Sequence, residues 1–421
     1  MLPSTVFMRS ARSRISLRRC ALLLLAAAIT IVLPAHALVA ADQEVRALWV
    51  VRTSLTSRAA IEAMIAAART SGFNTLLVQI RGRADAYYRS GVEPRASALA
   101  AEPALDPLAT TLALAHQAGL QVHAWVNVNL VAGVNELPAA RDHVVYRHPE
   151  WLMVPRALAE DFQTLDPRSP QYLGRLARYV RAQPNAEGLY LSPATDAAVD
   201  YTAEVVQSIV TRYAVDGVHL DYIRYPSSEF DYSRDALAAF RRTLLRELTP
   251  GDAQRLEARA AAQPLGYVQA FPDRWRVFRM SRLTTLMQRL RNVVKTARPA
   301  ASVSAAVVPD PAEAAEQRLQ DWRAWLDAGL LDIVCPMAYT TDSRVFAAQI
   351  AGARAAAGAH PVWAGIGAYR LSSDQIVENV QTARRLGAGG VILFSYDSLT
   401  GPPHGAAYLS QIARAAFISQ F

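Results

Sequence analysis

The chain has 421 residues, 52% hydrophobic and 19% charged, a balance that excludes disorder and leaves room for one large core. Its 44 basic and 36 acidic residues give a net charge of +8, but five arginines (Arg9, Arg12, Arg14, Arg18 and Arg19) precede the first acid. Without them the balance is 39 to 36, and no later Lys/Arg run forms a nucleic-acid patch.

Those arginines open a segment that reads as a secretory signal. An apolar run over 21–33 follows them and ends at Ala35-His36-Ala37, and it is too short to span a bilayer comfortably. Residues 1–37 are therefore expected to be removed on export. That leaves a periplasmic or secreted domain over 38–421 with no stable membrane span. Cys20 leaves with the signal, so Cys335 has no partner and reads as a buried small hydrophobe.

Beyond the signal, short apolar runs alternate with amphipathic helical stretches. Strand RALWVV (46–51) precedes a helix over 57–70. Strand NTLLVQI (74–80) precedes a helix over 106–118, and QVHAWVNV (121–128) precedes a long insertion that holds HPEW (148–151). A helix over 196–213 leads to GVHLDYI (217–223), and a second insertion (226–274) carries a helical stretch at 234–248. Four further pairs follow. A helix over 274–296 leads to SVSAAVV (302–308), and one over 316–328 to LDIVCPM (331–337). Helix 344–357 leads to PVWAGIG (361–367), and helix 373–386 to GGVILFS (389–395), before a last helix over 405–418.

Strands this apolar are buried on both faces, and strands joined by helices are parallel. Eight such units predict an α/β fold, a (β/α)8 TIM barrel with insertions after strands three and four. An open doubly wound sheet fits less well, because no G-x-G-x-x-G follows the first strand.

Barrel enzymes place their chemistry at the C-terminal strand ends. The candidates there are Arg52 from strand one, Gln79, Arg81 and Asp85 from strand two, and Trp125 and Asn127 from strand three. Strand four supplies His219, Asp221 and Arg224, strand six Tyr339 and Asp342, and strand eight Tyr396 and Asp397. The densest signal is DGVHLDYIRYP (216–226). Strand alternation points His219 and Asp221 into the barrel, with Asp221 nearer the mouth, and Leu220 out toward the helices. A carboxylic acid in a partly closed mouth has a raised pKa and suits protonation of a leaving sugar oxygen. The competing reading pairs Asp221 structurally with Arg224. His219, deeper, is a core histidine or a group that orients Asp221.

The second catalytic group stays open. Asp85, Asp310, Asp342 and Asp397 are eligible carboxylates, and Asp397 and Asp342 are set beside Asp221 as the catalytic candidates. A sugar with a 2-acetamido group can supply its own carbonyl instead, oriented by Tyr339. Trp125, Trp151, Tyr339, Tyr369 and Tyr396 offer faces to sugar C–H groups, whereas Trp49, Trp322 and Trp325 read as packing. No H-E-x-x-H, Cys pair, phosphate loop or G-x-S-x-G occurs, so no metal or other cofactor is expected.

Taken together, RALWVVRTS, NTLLVQIRGRADAYYRS, GLQVHAWVNV, HPEW, DGVHLDYIRYP, LDIVCPMAY and GGVILFS resemble, in that order, the glycosyl hydrolase-like family 10 of bacterial cell-envelope proteins. The likeness runs from about 44 to 398. It implies a glycosidase-like barrel acting on peptidoglycan glycan strands, including strands stripped of stem peptides. It also implies catalysis by Asp221, with Arg81, Asp85, His123 and Asn127 around the sugar. A fainter similarity to chitinase-type barrels rests on Met337 and Tyr339, but Ile223 stands where their acid would be. The expectation is a hydrolase of peptidoglycan or a related amino-sugar polysaccharide. The alternatives are a non-catalytic glycan-binding barrel and a metal-dependent deacetylase.

Overall fold

In the computed structural model, eight parallel strands close on themselves. In chain order the strands are β1 (Val45–Val50), β2 (Thr75–Arg81), β3 (Gln121–Asn127), β4 (Leu130–Ala132), β5 (Leu189–Tyr190), β6 (Gly217–Asp221), β7 (Ser302–Val307), β8 (Ile333–Ala338), β9 (Trp363–Ile366) and β10 (Gly390–Phe394). The barrel order is β1-β2-β3-β6-β7-β8-β9-β10 and back to β1, while β4 and β5 pair antiparallel outside it. The structure describes residues 1, 44–184 and 187–418. The expected signal over 1–37 and Cys20 lie outside the described residues.

The connecting helices start where the sequence supplies caps. Ser57 accepts from the Ala60 amide ahead of Arg58–Thr70. Asp106 does the same for Ala109, with Pro107 at the first helical position. Each helix ends two residues before a glycine at positive φ, Gly72 (73°) and Gly119 (72°), where a side chain would be strained.

Alternation then sorts the strands into two faces. Leu48, Val50, Leu76, Val78, Val122, Val126, Val218 and Leu220 join the core beneath the helices. Ala47, Trp49, Leu77, Trp125, Cys335, Trp363 and Ile392 fill the barrel itself. The free thiol of Cys335 is fully buried there, and burial pushes its pKa up.

The barrel floor shows why β6 begins with glycine. Gly217 pairs in register with His123, and a Cβ on it would meet His123 Nδ1 at 2.4 Å. One residue without a side chain thus lets an imidazole fill the floor, tilted against Trp363 at 5.4 Å.

Both insertions carry more order than the sequence suggests. The first holds β4, β5 and a helix over Pro170–Arg181, and the second adds a helix over Pro250–Ala262. The expected helix over 316–328 is two pieces, Pro311–Gln317 and Trp322–Asp327. The break falls where Leu319 takes φ 54° and Gln320 turns inward. Gln320 accepts from the Val308 amide (3.1 Å) and donates to the carbonyls of Ile223 (3.3 Å) and Ala306 (3.1 Å), satisfying backbone groups beyond β6 and β7.

Two glycine substitutions separate these constraints. Gly217→Ala should lower stability by about 1–3 kcal/mol through overpacking. Gly174→Ala, mid-helix with nothing within 4 Å of the added methyl, should raise it by about 0.5–1 kcal/mol. Chemical denaturation of both variants reads the two signs.

Candidate active site

At the C-terminal mouth, the inward residues change from apolar to polar. A cavity of about 220 Å3 opens there, lined from β1 and its loop by Trp49, Val51 and Arg52, and from β2 and its loop by Gln79 and Arg83. Trp125 and Asn127 of β3, and Asp221, Tyr222 and Arg224 at the end of β6, complete one side. Ala306, Met337, Tyr339 and Phe394 close the other.

Asp221 is the one carboxylate among these lining residues, and it is 7% exposed. Trp125 Nε1 donates to its Oδ2 (3.2 Å) and the Tyr222 amide to its Oδ1 (2.7 Å). The second contact requires an unusual backbone, since Tyr222 sits at φ 51°, a region that costs a non-glycine residue about 1–2 kcal/mol. Burial raises the Asp221 pKa above the ordinary carboxylate value, and this outweighs the opposing pull of Arg224 and the two hydrogen bonds. A carboxyl shifted this way keeps its proton to higher pH, and in its protonated form it can donate to whatever occupies the cavity.

Arg224 reaches the same wall and is held by Glu187 (Nη2 to Oε1, 3.2 Å) and by the Tyr222 ring 4.7 Å below its guanidinium. It forms no ion pair with Asp221, and its carboxylate partner is Glu187. Across the cavity, Arg52 Nη1 donates to Gln79 Oε1 (3.0 Å), Gln79 Nε2 to Asn127 Oδ1 (3.4 Å), and Asn127 Nδ2 to the Gly82 carbonyl (2.8 Å). Tyr339 stacks on Phe394 (centroids 5.5 Å apart), and Trp49 stands edge-on to both. That corner offers a flat aromatic wall.

Several predicted residues are placed elsewhere. His219 lies one layer below Asp221 and does not touch it. It accepts from Trp49 Nε1 (3.0 Å) and meets Ser304 Oγ (2.9 Å), and burial lowers its pKa to about 3. Its ring is therefore neutral and serves the core, and the residue that holds Asp221 is Trp125. His123 is on the floor, its pKa lowered by burial to about 4, with Nδ1 unpartnered. Arg81 turns away from the mouth to a fully buried pair with Glu93 (2.6 Å) and also donates to the carbonyls of Asn127 and Val128. Asp85 caps a turn at the Arg83 amide (2.8 Å) and lines a neighbouring cavity with Arg83 and His143.

The remaining acids are also occupied. Asp397 accepts from the Val51 amide (2.8 Å), Thr53 Oγ1 (3.1 Å) and Ser54 Oγ (2.5 Å), tying the end of β10 to the loop after β1. Asp342 is exposed and caps Ser343–Ala357, and Asp310 caps Pro311–Gln317. Tyr396 begins a short helix, and neither it nor Trp151 lines the cavity. Trp151 stacks on His148 (3.7 Å) within HPEW, which closes a loop. The mouth thus gathers Arg52, Gln79, Trp125, Asn127, Asp221, Arg224 and Tyr339 from the predicted set. Tyr222, also polar and just past strand four in the sequence, joins them, and the structure adds Arg83, Trp49, Met337 and Phe394. Trp49, read from the sequence as packing, does pack inside the barrel but also lines the cavity, whereas Arg83 follows a loop path that no spacing reveals.

A larger cavity of about 690 Å3 lies between the insertions, but its carboxylates, Glu160, Asp161 and Glu229, are exposed. Among the described residues no cluster of three or more His, Cys, Asp or Glu is arranged to hold a metal ion. No helix among them is long and apolar enough to cross a membrane.

A closed parallel barrel with a buried carboxyl at its mouth has the fold of the TIM-barrel glycoside hydrolases. The PgaB (BpsB) glycoside hydrolase domain from Bordetella bronchiseptica superposes with a TM-score of 0.60 at 15% identity, over 88% of this chain and 99% of that domain. The catalytic domain of a β-amylase from Paenibacillus polymyxa gives 0.59 at 11% identity, over 90% and 98%. Residues 44–366 match the family glycosyl hydrolase-like 10, and the chain belongs to it. Its relatives include the glycosyl hydrolase DigH of Escherichia coli K12, 25% identical over 65% of this chain and 56% of DigH. Glycosyl hydrolase YngK of Bacillus subtilis 168 is 28% identical over 37% of this chain and 26% of YngK. The aligned part is thus about half of DigH and a quarter of YngK.

Two measurements test this electrostatic arrangement. Removing one partner of the Arg81–Glu93 pair, as in Arg81→Met, should cost about 3–5 kcal/mol in chemical denaturation, because the other charge stays buried. For Asp221 the raised folded pKa means that ionisation penalises the folded state, so stability is lost as pH rises through that pKa. Asp221→Asn should therefore melt above the wild type at pH 7 and level with it at pH 3.

Proposed function

We propose that this chain is an exported glycoside hydrolase that cleaves peptidoglycan glycan strands, including strands without stem peptides, with Asp221 as general acid. The observation that carries the reading is the buried Asp221 carboxyl, its pKa raised by burial, set in the polar cavity at the barrel mouth. Family membership and the names of DigH and YngK support hydrolysis of a glycosidic bond. The arginine-rich N-terminal segment supports export.

In this reading protonated Asp221 gives its proton to the leaving oxygen as the C1–O bond breaks. Among the described residues no second carboxylate lines the cavity. The carbonyl oxygen of the sugar's own 2-acetamido group therefore attacks C1, with the Tyr339 phenol positioning that group. Ionised Asp221 then takes a proton from the water that opens the cyclic intermediate and is reset. The aromatic wall of Tyr339, Phe394 and Trp49 packs against the sugar's C–H face. The same lone carboxylate also favours a second reading, a barrel that binds glycan without cleaving it.

Digestion of purified peptidoglycan, with and without stem peptides, separates the two. The wild type should release new reducing ends, and Asp221→Asn should lower the rate by about 10²–10⁴-fold. Activity should fall on the alkaline side as Asp221 loses its proton. Binding by both proteins with release by neither selects the binding module.

A further inference from the structure

Three guanidinium groups line the mouth, those of Arg52, Arg83 and Arg224, against the single carboxyl of Asp221. Arg224 is paired with Glu187. The other two have no carboxylate within ion-pair distance among the described residues. Arg52 is held by an amide oxygen, that of Gln79, so it is positioned without being neutralised. Arg83 donates from Nη1 only to the carbonyl of Gly82 (3.3 Å). Gly82 adjoins both: an added Cβ there would fall 2.5 Å from Arg52 Nη1, and its carbonyl accepts from Arg83 Nη1. Asp85 is bound to the Arg83 backbone amide and lies in the next cavity, which Arg83 also lines.

Two half-buried cations without counter-charge, fixed by neutral partners, form a receptor for an anion. We propose that Arg52 and Arg83 bind the carboxylate of an acidic sugar, and that this contact selects the polymer the enzyme takes. The inference rests on the glycan-hydrolase reading and narrows it. In a peptidoglycan strand the lactyl carboxyl is free only where the stem peptide is gone; with the peptide attached it is an amide and carries no charge. A site built for that carboxylate prefers bare strands for an electrostatic reason.

The test uses strands stripped of stem peptides and the same strands with their lactyl carboxyls coupled to methylamine, each titrated calorimetrically into the Asp221→Asn protein. The free-acid strands should bind about ten- to a hundred-fold more tightly, as expected for a charge-assisted contact, and the gap should shrink with added salt. In the Asp221→Asn background, Arg83→Gln should bring the free-acid strands to the affinity of the amidated ones, and Arg83→Lys should keep part of the gap. A uronic-acid oligomer that binds in an Arg83-dependent way supports the acidic-sugar site as well. Equal binding of both strand forms, binding of neither, or equal losses for both in Arg83→Gln overturns it. Cleavage is scored separately with the wild type. Release of products without preference for free acid leaves hydrolysis standing and removes the acid site. Preference in binding without cleavage does the reverse.

Discussion

The alternation of β6 is the constraint on which the rest of the molecule depends. Gly217, His219 and Asp221 face inward at three heights, and each answers a different demand of the closed barrel. Gly217 leaves space for His123, so the floor closes without a clash. His219 receives the Trp49 indole N–H and meets Ser304, which satisfies polar atoms in the dry middle layer. Asp221 reaches the level where packing stops and the cavity begins. A slip of one residue would turn all three toward the helices and bring Val218 and Leu220 into the barrel.

The middle layer matters to the mouth because it is rigid. Trp125 stands edge-on to His219 (6.4 Å) and donates its indole proton to Asp221, so core packing fixes the orientation of the carboxyl. The left-handed Tyr222 adds a second donor from the backbone. The carboxyl is thus buried, oriented and left without a cationic partner in direct contact. Burial therefore dominates its acidity.

Charge is distributed differently around the mouth and behind it. Behind it, Arg81 and Glu93 form a fully buried pair, with the Tyr201 hydroxyl on the same carboxylate (2.9 Å), and Arg81 secures the carbonyls at the end of β3. Such a pair contributes little net stability, but it sets where Asn127 and the β2 loop stand. At the mouth, Arg224 is paired with Glu187, but Arg52, Arg83 and Asp221 are held by amides, a carbonyl and an indole, which orient them and leave their charge available to a ligand.

The sequence by itself determined the barrel. Eight apolar runs separated by capped helical stretches admit few other closures, and period-two alternation placed Asp221 inside and Leu220 outside. The glycosidase-like family was equally legible from the motif order. Only the tertiary structure decided which polar residues past the strand ends share a cavity. Arg81 and Gln79 are two residues apart on one strand, yet the register shifts between them, and Arg81 is drawn to Glu93 while Gln79 stays at the mouth. Asp397 and Asp342 have the right chemistry, but backbone amides and hydroxyls claim the first and a helix terminus the second. Arg83 joins the site through a turn whose path depends on Gly82, the positive φ of Ala84 (54°) and the Asp85 side chain. Strand spacing fixes direction to within a face, but a loop side chain goes where its nearest buried partner or open cavity lies, and that is a property of the packed whole.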